Sequence, residues 1–200
     1  MRWLVVTAGN SAPVDDSRGK PDVGGAMVRV LDYDPGWPQA FEREAERIRS
    51  ALGRHALSVE HVGSTAVPGL ASKPVIDILL VVANSAAESD YRAAVESAGF
   101  VLRAREPEWF EHRFFDKTPA GSNVGINLHV FSAGCPEIQR ILAFRILAFR
   151  DRLRAHAEDR ELYARVKREL AQRPWRDIEE YAQAKNTVVD TIHSRIDTGA

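Results

Sequence analysis

The residues between Gly63 and Asp77 combine groups that can bind a phosphate ester and a metal ion. Gly63-Ser64 follows a predicted strand, Lys73 precedes a proline, and Asp77 lies within an otherwise apolar run. A glycine-serine turn can offer backbone N–H groups and a hydroxyl to phosphate. A lone carboxylate inside a strand is costly to bury unless it is paired, hydrogen-bonded or bound to a metal. The combination suggests a site for a metal-bound phosphate ester.

Each of these features also has an ordinary structural explanation. Gly-Ser turns commonly end strands, and a buried aspartate can satisfy a backbone N–H group. A lysine before a proline is most often a loop residue. The occurrence of all three at this spacing favours the functional interpretation.

Two further candidates lie on predicted strands later in the chain. His129 alternates with apolar residues and shares one strand face with Asn127. In isolation, a satisfied core or surface histidine is the simpler interpretation. Arg113 precedes two phenylalanines, so it is either an ordinary edge-strand residue or an arginine that projects into a phosphate site.

A Tyr-x-x-x-Lys pattern occurs twice in the C-terminal half, at Tyr163/Lys167 and Tyr181/Lys185. This spacing places both side chains of a pair on one helix face. The chain has no Gly-x-Gly-x-x-Gly motif, so a dehydrogenase-type catalytic pair is rejected. Two interpretations stay open: aromatic packing beside an extended lysine stem, or a helix lysine that reaches a triphosphate.

The composition predicts a cytoplasmic protein that binds neither nucleic acid nor a membrane. The chain has 200 residues, 44% of them hydrophobic, and a formal net charge of −1. Such a chain can bury a real core but generates no global field that attracts polyanions. No apolar run approaches the roughly 20 residues of a membrane helix. The single cysteine, Cys135, excludes an internal disulfide, and the histidine spacing is unlike that of zinc sites.

The alternation of predicted strands and helices indicates a mixed α/β sheet, followed by a helical C-terminal half. Strands are predicted at residues 28–31, 57–62, 75–82, 100–105, 109–116 and 124–131. Helices are predicted at residues 38–53, 86–99, 136–156, 159–172 and 175–195.

Two segments depart from this regular pattern. Residues 1–26 are polar and rich in Pro and Gly, which predicts a flexible N-terminal extension before a domain at 27–200. Residues 140–144 are repeated directly at 145–149. On one helix the two copies would lie about 140° apart, so they cannot both face one core stripe.

The sequence Glu-His-Val-Gly-Ser-Thr-Ala-Val-Pro-Gly-Leu at 60–70, with Lys-Pro-Val-Ile-Asp-Ile at 73–78, resembles the signature of the GrpB family. This family is a branch of the nucleotidyltransferase (polymerase β-like) superfamily. The resemblance extends over residues 28–195, with further matching motifs at 32–38, 113–115 and 128–130 and in the two Tyr/Lys pairs. It implies an α+β nucleotidyltransferase fold with flanking helices and a small mixed sheet, in which the Gly-Ser turn faces a strand that carries a metal-binding acid. Such domains also occur fused to dephospho-CoA kinase, whose phosphate-binding loop is absent from this sequence.

The chain departs from the superfamily pattern at its acids. The superfamily usually has two alternating acids on the strand after the turn and a third on a neighbouring strand. Here Asp77 is followed two positions later by Leu79, and His129 occupies the third place. One aspartate can still hold one Mg²⁺ if phosphates and waters complete its coordination.

The resemblance implies a Mg²⁺-dependent nucleotidyltransferase-like enzyme that uses a nucleoside triphosphate and transfers its nucleotidyl group to, or activates, a small-molecule acceptor. Gly63 and Ser64 would hold phosphates, and Asp77 would ligate the metal. His129 would be a ligand or a general base. The cations expected to neutralise pyrophosphate are Lys73, Arg113, Lys167 and Lys185.

Two alternatives to this enzyme stay open. Leu79 favours a catalytically degenerate nucleotide- or anion-binding module with a regulatory or interaction role. A hydrolase or ligase that uses the same pocket is the weaker alternative. The sequence leaves the oligomeric state open, a homodimer included.

Overall fold

The computed structural model describes residues 27–134 and 146–198, which form an α+β fold around one five-stranded sheet. The strands are β1 (Ser58–Val62), β2 (Val75–Val82), β3 (Val101–Glu106), β4 (His112–Lys117) and β5 (Gly125–Ser132). Their order is β1-β2-β5-β4-β3, with β2 parallel to β5 and the other pairs antiparallel. The predicted small mixed sheet is confirmed. The predicted extension at 1–26 and the first copy of the repeat at 140–144 lie outside the described residues.

The first helix, α1 (Trp37–Leu52), covers one face of the sheet with a stripe of apolar residues at helical spacing. Pro38 lies in its first turn, and Gly53 ends it with a positive φ of 52°. The buried stripe packs against the alternate β2 residues that face this side, namely Ile76, Ile78, Leu80 and Val82. Asp77 therefore lies on the opposite face of β2.

The second helix is shorter than the predicted 86–99. A 3₁₀ turn (Glu88–Asp90) precedes the short helix α2 (Arg92–Ser97). Between them Tyr91 has a φ of −142°, outside the helical range, and its buried hydroxyl donates a 2.7 Å hydrogen bond to the Ser85 carbonyl. The helix begins late because the Tyr91 ring turns into the core.

Two predicted strands also differ in the structure. Residues 28–31 do not form a strand, and Leu31 makes only a single antiparallel bridge to Ser72. Strand β4 begins at His112 rather than at Trp109, because Phe110 and Glu111 have positive φ values of 55° and 53°. That conformation makes a turn and is incompatible with a strand.

The C-terminal half is helical, as predicted, and contributes to packing on the second face of the sheet. Its described helices are α3 (Ala148–Ala155), α4 (Ala157–Ala171), α5 (Ile178–Gln183) and α6 (Asn186–Thr198). In the second copy of the repeat, Ile146 is buried against Leu79 and Phe131 of the sheet. None of the described helices is both long and apolar enough to cross a membrane.

A buried aspartate joins three of these helices. Asp159, on α4, is completely buried and accepts a 2.6 Å hydrogen bond from Arg152 of α3. Its second oxygen pairs with Arg195 of α6. A buried carboxylate needs such partners, so this cluster fixes the helix that carries Tyr163 and Lys167.

We predict that Asp159→Ala lowers the free energy of unfolding by roughly 3 kcal/mol, because it removes the buried carboxylate that compensates the partly buried guanidinium groups of Arg152 and Arg195. Urea denaturation followed by circular dichroism measures this change. Asp190→Ala is the control, because Asp190 is exposed on the same helix as Arg195, and it is expected to change stability by less than about 0.5 kcal/mol. Equal effects of the two substitutions would contradict this role of Asp159.

Candidate functional site

The turn after β1 approaches the Asp77 carboxylate so closely that only glycine fits at position 63. Gly63 has φ 71° and ψ −169°, a conformation almost confined to glycine. A Cβ atom there would lie 3.1 Å from both Cβ and Cγ of Asp77 and would collide with its Oδ2 atom. Ser64 follows at the start of a 3₁₀ turn (Ser64–Ala66). The structure thus brings together the predicted turn and the predicted acid.

Asp77 is held in its ionised form by its neighbours. Its side chain is 29% exposed, and Oδ1 accepts a 2.9 Å hydrogen bond from the Asn127 amide. Burial by itself would raise the pKa of this carboxyl, but His129, Asn127 and Lys73 together lower it below its usual value. The oxygens of Asp77 are therefore available as anionic ligands at neutral pH.

Lys73 and Lys185 lie near this carboxylate, and Lys167 lies near both of these lysines. The ammonium groups of Lys73 and Lys185 lie 5.8 Å and 4.9 Å from the centre of the Tyr181 ring. Lys167 lies 4.5 Å from the centre of the Tyr163 ring. Both tyrosines thus pack beneath lysines, which matches one interpretation of the Tyr-x-x-x-Lys pattern. Of the two helix lysines, Lys185 also lies close enough to Asp77 for the carboxylate charge to act on it.

Burial lowers the pKa of all three lysines, and neighbouring positive charges lower it further for Lys167 and Lys185. Burial, followed by the charge of Lys73, lowers the pKa of Lys185 to about 8 even though Asp77 opposes the shift. Burial lowers the pKa of Lys73 as well, against the same opposing charge. The pKa of Lys167 falls well below its usual value because of burial and the charges of Lys185, Arg168 and Lys73. An anion bound among them would relieve this repulsion and favour the charged forms.

Lys167 is the most unusual of the three cations. It is 3% exposed, and its ammonium group has no hydrogen-bond partner within the part of the chain that the structure describes. A buried cationic group without a partner is costly. The neighbours that act on its charge are themselves cations, namely Lys185, Arg168 and Lys73.

The turn is connected to the helical half at several points. The hydroxyl of Tyr163 interacts with the side chain of Ser64. Arg150 donates a 3.0 Å hydrogen bond to the His61 carbonyl, and Arg154 donates one of 2.9 Å to the Ala66 carbonyl. The helices thus hold both ends of the turn. Sequence analysis missed these two arginines as positioning residues, although their i, i+4 spacing on a predicted helix was a weak signal.

His129 lies beside Asp77, and His112 lies behind His129. The His129 Nε2 atom is 3.9 Å from Asp77 Oδ1. Its Nδ1 atom is 3.2 Å from His112 Nε2, and His112 Nδ1 is 2.8 Å from Glu106 Oε2. Burial lowers the pKa of His112 to about 4, which keeps this ring neutral. Sequence analysis missed His112 and Glu106, because only the register of three strands brings them into line.

Arg113 does not reach this pocket. It pairs in register with Val130, whose side chain belongs to the core beneath α1, on the other face of the sheet. There Arg113 donates a 2.7 Å hydrogen bond to Glu88 and another, of 2.9 Å, to the Glu111 carbonyl. Arg113 therefore stabilises the turn before β4, and the structure does not unite it with the phosphate candidates.

Leu79 occupies the place on β2 where a second acid was expected from the superfamily pattern. It is 2% exposed and packs against Val62 and Phe131. Among the described residues, no group of three or more His, Cys, Asp and Glu side chains is arranged to hold a metal ion. Protein carboxylates alone therefore do not build a two-metal centre at this site.

Comparison with known proteins identifies relatives over most of the chain. The family profile described as "GrpB protein" matches residues 27–195. A UPF0157 protein from Halalkalibacterium halodurans is 56% identical over 170 residues, which cover 85% of this chain and 83% of that protein. The crystal structure of a conserved GrpB protein from Enterococcus faecalis superposes with a TM-score of 0.70 at 31% identity, covering 84% of this chain and 96% of that one.

A second kind of relative shares only part of its length with this chain. A dephospho-CoA kinase from Mycolicibacterium paratuberculosis is 32% identical over 182 residues. The match covers 80% of this chain but 44% of the kinase. The similarity thus concerns one portion of a longer protein.

We predict that Gly63→Ala destabilises the protein by about 2 kcal/mol or more, because the new Cβ meets Asp77 in a backbone conformation that alanine avoids. Gly121→Ala is the control, since Gly121 has a similar φ of 72° but no atom of the described residues lies within 4 Å of its hypothetical Cβ. Thermal or urea unfolding of the two variants measures the difference. If Gly121→Ala costs as much as Gly63→Ala, the close approach to Asp77 is unimportant for stability.

Proposed function

The chain belongs to the GrpB family, and from this premise we propose that it is a metal-assisted nucleotidyltransferase-like enzyme. Its substrates would be a nucleoside triphosphate and a small-molecule acceptor. The single observation that carries the proposal is the buried ammonium of Lys167, which has no hydrogen-bond partner among the described residues and lies near Lys73 and Lys185. These two lysines lie in turn near the ionised Asp77. Such a cluster of lysines beside one carboxylate complements a polyphosphate whose charge is shared with a metal ion.

Each group in the pocket has a role in such a reaction. The backbone at Gly63 and the hydroxyl of Ser64 would bind phosphate oxygens. Lys73, Lys167 and Lys185 would stabilise the negative charge that develops on the leaving pyrophosphate. Because the turn and the helices are already tied together, these groups are arranged before the substrate binds. Preorganised charge of this kind lowers the barrier to phosphoryl chemistry without rearrangement of the protein.

A divalent ion fits this pocket when the substrate supplies part of its coordination. Mg²⁺ takes oxygen ligands and usually keeps waters and phosphate oxygens in its shell. Asp77 would be its protein ligand, and the Asn127 hydrogen bond orients that carboxylate. The ion would supply charge neutralisation and polarise the reacting phosphoryl group.

A nucleotide- or anion-binding module without catalysis is the second candidate. Leu79 favours it, because a buried leucine stands where a second metal-binding acid would help to hold two ions. The two candidates differ in one measurable product. The enzyme releases pyrophosphate or a nucleotidylated acceptor, whereas the module binds nucleotide and leaves it intact.

We predict that Asp77→Asn abolishes metal-dependent binding of ATP while the fold is retained, since the substitution removes the charge that holds the ion. Calorimetric titration with ATP, with and without Mg²⁺, measures binding, and analysis of the mixture for pyrophosphate in the presence of candidate acceptors measures turnover. Asp116→Asn is the control, because Asp116 is a partly exposed aspartate that pairs with Arg103. An Asp77→Asn variant with unchanged Mg²⁺ dependence and turnover would disprove the proposal.

We predict that ATP binds about tenfold more weakly at pH 9.5 than at pH 7.5 in the absence of metal. The reason is that Lys185, with its pKa lowered to about 8, is charged at the lower pH and neutral at the higher one. The phosphates of ATP are already ionised across this range. Fluorescence or calorimetric titration at the two pH values measures the difference.

The control for this pH dependence is a pair of variants. Lys185→Met is expected to bind ATP weakly at pH 7.5 and to show a flatter pH profile, because the titrating charge is gone. Arg103→Gln, which removes an exposed cation from β3, is expected to keep the wild-type profile. A wild-type affinity that is constant between the two pH values would exclude Lys185 as an anion ligand.

A further inference from the structure

A row of hydrogen bonds runs across three strands and ends at His129, beside Asp77. It starts at Glu106 at the end of β3, passes through His112 of β4, and reaches His129 of β5. His112 is completely buried and His129 is 3% exposed. The function proposed above gives no role to Glu106 or His112, although burying the two histidines in one row is costly.

The hydrogen bonds determine which atom of His129 faces Asp77. A carboxylate only accepts hydrogen bonds, so Glu106 requires a proton on His112 Nδ1. In the neutral form that complete burial favours, His112 Nε2 is then an acceptor. His129 must therefore donate from Nδ1 to His112, which leaves its Nε2 as the atom directed towards Asp77.

Aromatic packing holds both rings in this orientation. The His112 and His129 rings stack with centres 5.3 Å apart and planes 21° from parallel. Trp109 meets the His112 ring edge-on at 4.7 Å, and Phe131 lies 4.6 Å from it. Phe114 packs against His129 at 5.4 Å. The Nε2 atom of His129 is thus fixed in place rather than free to rotate away.

The space between His129 and Asp77 suits a cation. Nε2 and Oδ1 are 3.9 Å apart, too far for a direct hydrogen bond. Two coordination bonds of about 2.1 Å each can span this distance. Histidine ligands commonly donate their second ring N–H to a partner that fixes their orientation, and here His112 and Glu106 supply that partner.

We propose that His129 Nε2 and Asp77 form a mixed nitrogen and oxygen metal site, oriented by His112 and Glu106, that binds Mn²⁺ more tightly than Mg²⁺. An imidazole nitrogen suits a transition ion, whereas Mg²⁺ prefers oxygen ligands alone. The inference rests on the proposed function only where it takes Asp77 as a metal ligand. Glu106 and His112 are positioning residues in this site, and His129 is a ligand rather than a general base.

The experiment is pulsed electron paramagnetic resonance of Mn²⁺ added to the wild-type protein without nucleotide. The expected result is modulation from a directly coordinated ¹⁴N nucleus, together with Mn²⁺ retention against a tenfold excess of Mg²⁺. This measurement needs no variant and no enzymatic assay. Bound Mn²⁺ without nitrogen coupling, or displacement by equimolar Mg²⁺, overturns the inference.

A matched pair of variants separates metal positioning from simple packing. His112→Phe keeps a ring between Trp109 and Phe131 but cannot accept the His129 proton, so Mn²⁺ affinity is expected to fall about 10- to 100-fold. His61→Phe is the control, because His61 is also buried and stacks on Phe41 at 4.6 Å, on the other face of the sheet. Equal Mn²⁺ affinity of the two variants overturns the positioning role.

Failure of this inference can be told apart from failure of the proposed function. Mn²⁺ bound through oxygen alone overturns the nitrogen ligand but leaves Asp77 as the metal ligand of the proposed enzyme. A wild-type protein that binds no Mn²⁺ also overturns the inference. In that case the Mg²⁺ dependence of ATP binding in the wild type and in Asp77→Asn decides separately whether the proposed function stands.

Discussion

The rest of the site depends on the ionised carboxylate of Asp77, which lies on the face of β2 opposite helix α1. A charge in that position must be compensated locally, and the neighbouring elements do so in different ways. Gly63 lacks a side chain so that the turn can approach it, and Asn127 donates a hydrogen bond to it. Lys73 and Lys185 place positive charge nearby. The sheet fixes the acid, and the helices bring much of the charge that surrounds it.

The pocket contains more positively charged side chains than are needed to balance the charge of one carboxylate. This excess of positive charge connects the structure with the proposed function. Lys73 and Lys185 lie near a single aspartate, and Lys167 lies near both of them, buried without a hydrogen-bond partner among the described residues. A protein selected for stability alone would gain by replacing such a residue with an apolar one. Retaining the cation makes sense if an anion completes the pocket. The helices stay in place without that anion because Asp159 ties α4 to α3 and α6.

Much of this site was predictable from local sequence, because its central residues belong to short motifs. Gly63, Ser64 and Lys73 lie in the connection between two adjacent strands, and Asp77 lies on the second strand. Helical spacing paired Lys167 and Lys185 each with a tyrosine. Arg113 shows the limit of such predictions. Successive residues of a strand face opposite sides of the sheet, so a difference of one residue in position puts a side chain on the other face. The start of β4 depended on the positive φ angles of Phe110 and Glu111. The row from Glu106 to His129 needs the register of three strands, which no local pattern contains.

The most direct test of the Asp77 pocket as a metal-nucleotide site is a crystal structure with a non-hydrolysable ATP analogue and Mn²⁺, recorded with anomalous scattering from the metal. We expect an anomalous peak within coordination distance of both Asp77 and a phosphate oxygen. The remaining phosphates should lie among Lys73, Lys167 and Lys185. A nucleotide bound elsewhere, or one bound in this pocket with no metal at Asp77, would contradict the account.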